Sequence, residues 1–121
     1  MAKILVIDDE RQMVEMLQMR LEANGYEVIA AYDGEEGLEK AKSESPDLII
    51  LDIMMPKMDG HEVCRLLKSD EQYEKIPIIM FSARTQQSDI DKSISAGADA
   101  HMAKMFETQT LLAKIEEVLK S

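Results

Sequence analysis

The chain has 121 residues, 45% of them hydrophobic, and a formal net charge of -10. That is enough apolar material for one core, and too acidic for a surface that grips nucleic-acid phosphates, which draws on clustered Lys and Arg. No apolar run approaches the ~18 residues of a membrane-spanning helix, and Met1-Ala2-Lys3 leads straight into a strand pattern with no room for a signal peptide, so the expectation is a cytoplasmic protein with no direct nucleic-acid contact and no membrane insertion.

Lys3 to Ile7 is a β-branched run that stops at Asp8-Asp9-Glu10 and predicts a first buried strand with acids at its carboxyl end. A helix follows at once, with Asp9 as its cap and Gln12 at the capping-box position. Met13, Leu17 and Leu21 share a face, and Asn24-Gly25 is the stop. Glu27 to Ala31 is a weaker second strand. Asp33, with Glu36 three residues on, opens a second helix that buries Leu38 and Ala41 and ends before Pro46.

Leu48-Ile49-Ile50-Leu51-Asp52 is apolar on both faces, as a central parallel strand should be, and it ends on a carboxylate. Asp59 and Glu62 repeat the capping pattern before a helical stripe of Val63, Leu66 and Leu67. Ile76 to Ser82 is the fourth strand. Thr85 opens a fourth helix carrying Ile90 and Ile94, stopped by Gly97, and Ala98 to Ala103 is a short fifth strand ending at Lys104. A last helix carries Leu111, Leu112, Ile115, Val118 and Leu119 on one face. The ten methionines read mainly as core gap-fillers, although Met54, Met55 and Met58 cluster beside Asp52, and Cys64 in mid-helix reads as buried and inert.

Strict alternation of strand and helix over residues 1–121 predicts a single domain: a doubly wound, flavodoxin-like α/β fold, with five helices about a five-stranded parallel sheet. In the strand order 2-1-3-4-5 the first and third strands are neighbours, which brings Asp8, Asp9 and Asp52 together at the crevice where the winding reverses. Three adjacent carboxylates repel one another unless a cation sits among them or one of them stays protonated, and a divalent metal resolves the conflict. All-oxygen ligation favours Mg2+ or Mn2+, and Mg2+ keeps waters and reaches for phosphate. Asp52 is then a candidate carboxylate nucleophile forming an acyl phosphate, with Lys104 and the Ser82 hydroxyl holding the remaining phosphoryl oxygens.

With Val6-Ile7-Asp8-Asp9-Glu10, Pro46 to Pro56, Met58-Asp59-Gly60, Ser82-Ala83 and Gly97-Ala98-Asp99 assembled, the chain resembles, over essentially its whole length, a response-regulator receiver domain of bacterial two-component signalling. The resemblance implies that Asp52 accepts phosphate from a sensor histidine kinase or phosphotransfer protein. It also implies that Asp9, Asp52 and the Met54 carbonyl ligate Mg2+, with Asp8 acting through water. Ser82 and Lys104 would sense the phosphoryl group, while an aromatic position on strand five, here His101, turns inward and reshapes the helix 4, strand 5 and helix 5 surface for a downstream effector protein or output domain. That surface also allows a phosphorylation-linked dimer.

Two positions depart from the family pattern. Lys104-Met105 stands where Lys-Pro is usual, often with a cis bond, and a relaxed loop there implies a looser or slower phosphorylation response. His101 stands where Tyr or Phe is common, and reads as a tolerated surface substitution rather than a pH-tuned switch. Arg84 and Met54 occupy positions that tune water access in the family, and Met54, unable to orient an attacking water, implies a long-lived phosphoryl state.

The expected activity is self-phosphorylation with slow autodephosphorylation and no other enzymatic turnover. An aspartyl-phosphate phosphatase would usually carry a second acid two residues after its nucleophile, where this chain has Met54. A flavodoxin-type cofactor binder needs a phosphate-cradling loop after strand one, where Asp8-Asp9-Glu10 would repel a phosphate unless metal intervened and no glycine-rich loop is present. A degenerate receiver that binds partners without phosphorylation is the nearest rival.

Overall fold

The computed structural model describes residues 1–83 and 86–120. Five strands, β1 (Lys3–Ile7), β2 (Glu27–Ala31), β3 (Leu48–Asp52), β4 (Ile78–Ser82) and β5 (Ala100–Ala103), alternate with five helices, α1 (Arg11–Ala23), α2 (Gly34–Glu44), α3 (Gly60–Lys68), α4 (Gln87–Ser95) and α5 (Thr108–Lys120). Every strand pair is parallel, in the order β2-β1-β3-β4-β5. The expected topology is the one observed, and among the described residues no helix is long and apolar enough to cross a membrane.

The side-chain period of two sorts β1, β3 and β4 into two cores. Leu5, Ile7, Ile49, Leu51, Ile78 and Met80 face Ala41 of α2 and Val63, Cys64 and Leu67 of α3. Ile4, Val6, Leu48, Ile50, Ile79 and Phe81 face Val14, Leu17 and Leu21 of α1 and Leu111, Ile115 and Val118 of α5. All five residues of β3 are buried, so the strand is held on both faces. Burial also pushes the Cys64 thiol up to about 11, which keeps it protonated and inert, as expected.

Several local expectations are corrected. Helix α1 is capped at Glu10, not Asp9, and without a side-chain bond, because the Asp8 carboxylate accepts the Glu10 N–H at 2.9 Å and commits the turn one residue later. Val14 rather than Met13 is the fully buried residue of its first turn, Met13 being partly buried. In α3 the stripe runs through Cys64 and leaves Leu66 49% exposed.

Strand β4 starts at Ile78 rather than Ile76, since the Pro77 carbonyl serves Ile49 but its ring nitrogen has no proton to continue the ladder. Strand β5 starts at Ala100, because Asp99 is a pin: its carboxylate accepts from the Ile78 N–H at 2.8 Å and from Lys68 Nζ at 3.0 Å.

Helix α4 begins at Gln87, and its fully buried residue is Ser93, while Ile94 is 54% exposed. Ser93 Oγ meets His101 Nδ1 at 2.8 Å, so the α4 face is set by a polar contact with β5 rather than by its isoleucines. Thr85, the expected start of α4, and Arg84 lie outside the described residues.

Candidate functional site

The carboxyl ends of β1, β3, β4 and β5 deliver the predicted residues to one place. Asp52 is the last residue of β3, and its neighbour across the ladder is Phe81, one residue before Ser82. The Lys104 N–H donates to the Ser82 carbonyl at 2.9 Å, which fixes the main chain of Lys104 beside the end of β4. Asp8 and Asp52 are each 2% exposed, whereas Asp9 is exposed. Carboxylate oxygens of Asp8, Asp9 and Asp52 all lie within 4.8 Å of one another.

The electrostatics follow from that crowding. Burial, then the nearby charge of Asp8, push the Asp52 carboxyl up to about 7, against the opposing pull of Lys104. Burial also raises Asp8 above the usual carboxylate range, although the Glu10 N–H and Lys104 oppose it. For Lys104, burial works against the charge, but the hydrogen bond it donates to Glu10 and the charges of Asp52 and Asp8 outweigh it and hold the ammonium above the ordinary lysine range. Lys104 Nζ lies 3.3 Å from Asp52 Oδ1, 3.3 Å from Asp8 Oδ2 and 2.5 Å from Glu10 Oε1.

One ammonium among these acids does not satisfy them all. Asp52 Oδ2 is buried and has no hydrogen-bond partner among the described residues. A buried acceptor left in that state costs about 1–3 kcal/mol, and a divalent cation or an electrophilic phosphorus is what an orphaned carboxylate oxygen beside two further carboxylates can accept. The donor set is all oxygen, the chemistry that suits Mg2+ or Mn2+. The residues present therefore fit such an ion.

The structure brings together Asp8, Asp9, Asp52 and Lys104 by direct distance, with Ser82 placed by the ladder. Met54, whose carbonyl was expected as a ligand, is two residues beyond Asp52 with its side chain 55% exposed; Met55 is buried and Met58 half-buried, so the trio is not a uniform contact surface.

His101 is half-buried against α4 through Ser93, not a surface substitution. The Lys104-Met105 peptide is trans, and Lys104 still reaches Asp52, so the reason given for a slower response is removed.

Two groups escaped the sequence reading. Glu10 makes the closest of the carboxylate contacts to Lys104, a pairing 94 residues apart that no local pattern announces. His61 lines a cleft of about 480 Å³ that also reaches Met54 and Ser82. Its Nε2 is buried without a partner among the described residues, and desolvation lowers its pKa.

The family described as response regulator receiver domain matches residues 4–116. The alkaline phosphatase synthesis transcriptional regulatory protein PhoP of Bacillus subtilis is 46% identical over 98% of this chain and 48% of its own length, and the response regulator MprA of Mycobacterium ulcerans is 42% identical over 98% and 50%. The chain thus spans about half the length of the curated relatives it matches.

Among solved structures, the chemotaxis protein CheY4 of Vibrio cholerae superposes with a TM-score of 0.92 at 36% identity, covering 98% of both chains. A CheY-like response regulator receiver domain protein of Methanospirillum hungatei gives 0.92 at 32% identity, over 99% of this chain and 94% of that one.

Proposed function

Because the chain belongs to the response regulator receiver domain family, we propose that it is a phosphorylation-dependent signalling receiver whose acceptor is Asp52. The observation that carries the reading is the orphaned, buried Oδ2 of Asp52 beside two more carboxylates and one lysine. In the proposed reaction a carboxylate oxygen of Asp52 bonds to phosphorus as the phosphorus–nitrogen bond of a kinase or phosphotransfer phosphohistidine breaks, and the departing imidazole keeps the electron pair and takes a proton from water. Lys104 and Ser82 hold the phosphoryl oxygens. Their work is positioning and charge stabilisation, the larger part of phosphoryl-transfer catalysis.

Asp9, Asp52 and the Met54 carbonyl would hold Mg2+, with Asp8 through water. The ion, when bound, neutralises oxygens that would otherwise repel the acceptor carboxylate. Turnover beyond self-phosphorylation and slow loss of the group is not part of the proposal. Its partners are a phosphodonor protein upstream and an effector or output domain that reads the α4, β5 and α5 surface, where the Ser93–His101 contact ties the switch position to α4.

Magnesium tests the site directly. Titrating Mg2+ should raise the thermal midpoint of the wild-type protein progressively at pH 7.5 or so, since a ligand that binds only the folded state adds about 2.7 kcal/mol at a hundredfold excess over its dissociation constant. The rise should shrink strongly in Asp9→Asn. Equal shifts in both proteins would place the ion elsewhere.

A further inference from the structure

Lys104 is shared among three carboxylates, and only two of them belong to the acidic cluster that fits a cation. The third, Glu10, stands apart. Its main chain is fixed at both ends: the N–H is held by Asp8 Oδ1 at 2.9 Å and the carbonyl accepts the Val14 N–H at 3.1 Å, so the exposed side chain extends from a rigid point at the start of α1. It meets Lys104 at 2.5 Å, closer than either site aspartate. The Lys104 main chain is likewise pinned, by its bond to Ser82. Both anchors are therefore rigid, and what varies is which acid the ammonium faces.

Resting on the phosphoacceptor reading above, we propose that Glu10 is a positioning residue: the counter-ion that holds the Lys104 ammonium in the resting protein and yields it to the phosphoryl oxygens once they arrive on Asp52. A cation bound among Asp8, Asp9 and Asp52 neutralises those acids and leaves Glu10 as the uncompensated partner of Lys104. The incoming phosphoryl group then competes with Glu10 alone. No proton moves in this exchange; one ion pair replaces another. The resting hold on Lys104 is stronger for Glu10, and the phosphoryl state is correspondingly less populated.

An exposed ion pair is worth about 0.2–1 kcal/mol, so removing the competitor tightens the binding of a phosphoryl mimic by roughly 1.4- to 5-fold. The probe is trifluoroberyllate at saturating Mg2+, titrated against wild type, Glu10→Gln, Glu10→Asp, Lys104→Gln and the Glu10→Gln/Lys104→Gln pair. Glu10→Gln should bind more tightly, Glu10→Asp should follow it because the shorter acid loses reach while keeping its charge, and added salt should narrow the difference.

In the Lys104→Gln background Glu10→Gln should change nothing. Equal affinity in wild type and Glu10→Gln overturns the proposal. So does a gain that persists without the lysine, which would be general charge repulsion. Failure of the wild type itself to bind trifluoroberyllate would overturn the phosphoacceptor reading and this inference with it.

Discussion

Replacing Asp52 with Asn is expected to stabilise the metal-free protein at pH 8 by roughly 2–4 kcal/mol, the value expected when a buried carboxylate raised by about three pKa units no longer has to ionise, at 1.36 kcal/mol per unit. The Asp52 carboxyl titrates at about 7 in the folded protein against an ordinary 3.8, with burial the leading cause and the charge of Asp8 the next. Between those values the folded chain keeps a proton that the unfolded chain has lost. Stability therefore falls as pH rises through that window and is lowest above it, where folding must carry the buried charge. Asp8, also raised by burial, adds to the same slope.

The lower part of the range allows for Lys104 losing one of its three acidic partners. Urea unfolding in a chelator at pH 5 and pH 8 checks the sign. The stabilisation by Asn should be clearly larger at pH 8, and Mg2+ should narrow it by giving the wild-type charge a partner. An Asn effect independent of pH would mean that Asp52 does not titrate in that window. Conservative replacement at the proposed acceptor thus relieves a cost that the buried carboxylate cluster imposes on the fold.

Gly60→Ala is expected to be among the most damaging single-methyl additions in the protein. An added Cβ would lie 2.3 Å from the Asp52 carbonyl oxygen and 2.8 Å from the Ile53 Cα, and both are backbone atoms that cannot rotate aside. The Gly60 N–H simultaneously donates to the Ile53 carbonyl at 2.8 Å, so helix α3 starts pressed against the end of β3. Relieving the overlap must move the segment that carries Asp52, and overpacking of this kind costs about 3 kcal/mol or more.

Gly25→Ala is the matched control. Gly25 has φ +90 with nothing within 4 Å of an added Cβ, so only the left-handed backbone resists, at roughly 1–2 kcal/mol. Unfolding midpoints and Mg2+ affinity should separate the two variants: Gly25→Ala keeps the ion, Gly60→Ala loses both stability and affinity. Comparable behaviour would mean that the end of β3 can shift without consequence.

The fold was legible because its apolar runs are short, dense and bounded by turn residues. The predicted limits of β1, β2 and β3 coincide with the observed strands. Two of the details that differ share one physical origin, a polar contact between separate elements that local periodicity cannot register. Ser93 is buried on α4 and its hydroxyl meets His101 on β5, a contact that the isoleucines of the helix do not announce. Asp99 ends up outside β5 because it serves Ile78 and Lys68.

The acidic site could be read for the opposite reason. Strand order alone converts Asp8, Asp9, Asp52 and Lys104 from scattered residues into neighbours, since each lies at the carboxyl end of a parallel strand. Glu10 reads only as one of the acids closing the first strand, because nothing in its own segment points to Lys104, 94 residues away.

The acceptor role of Asp52 is tested most directly by intact mass after incubation with acetyl phosphate and Mg2+, beside Asp52→Asn and a metal-free control. The expected result is a gain of one phosphoryl group in the wild type, absent from the variant and absent without metal. No gain in a folded, Mg2+-loaded wild type, or a gain that survives in Asp52→Asn, would contradict it.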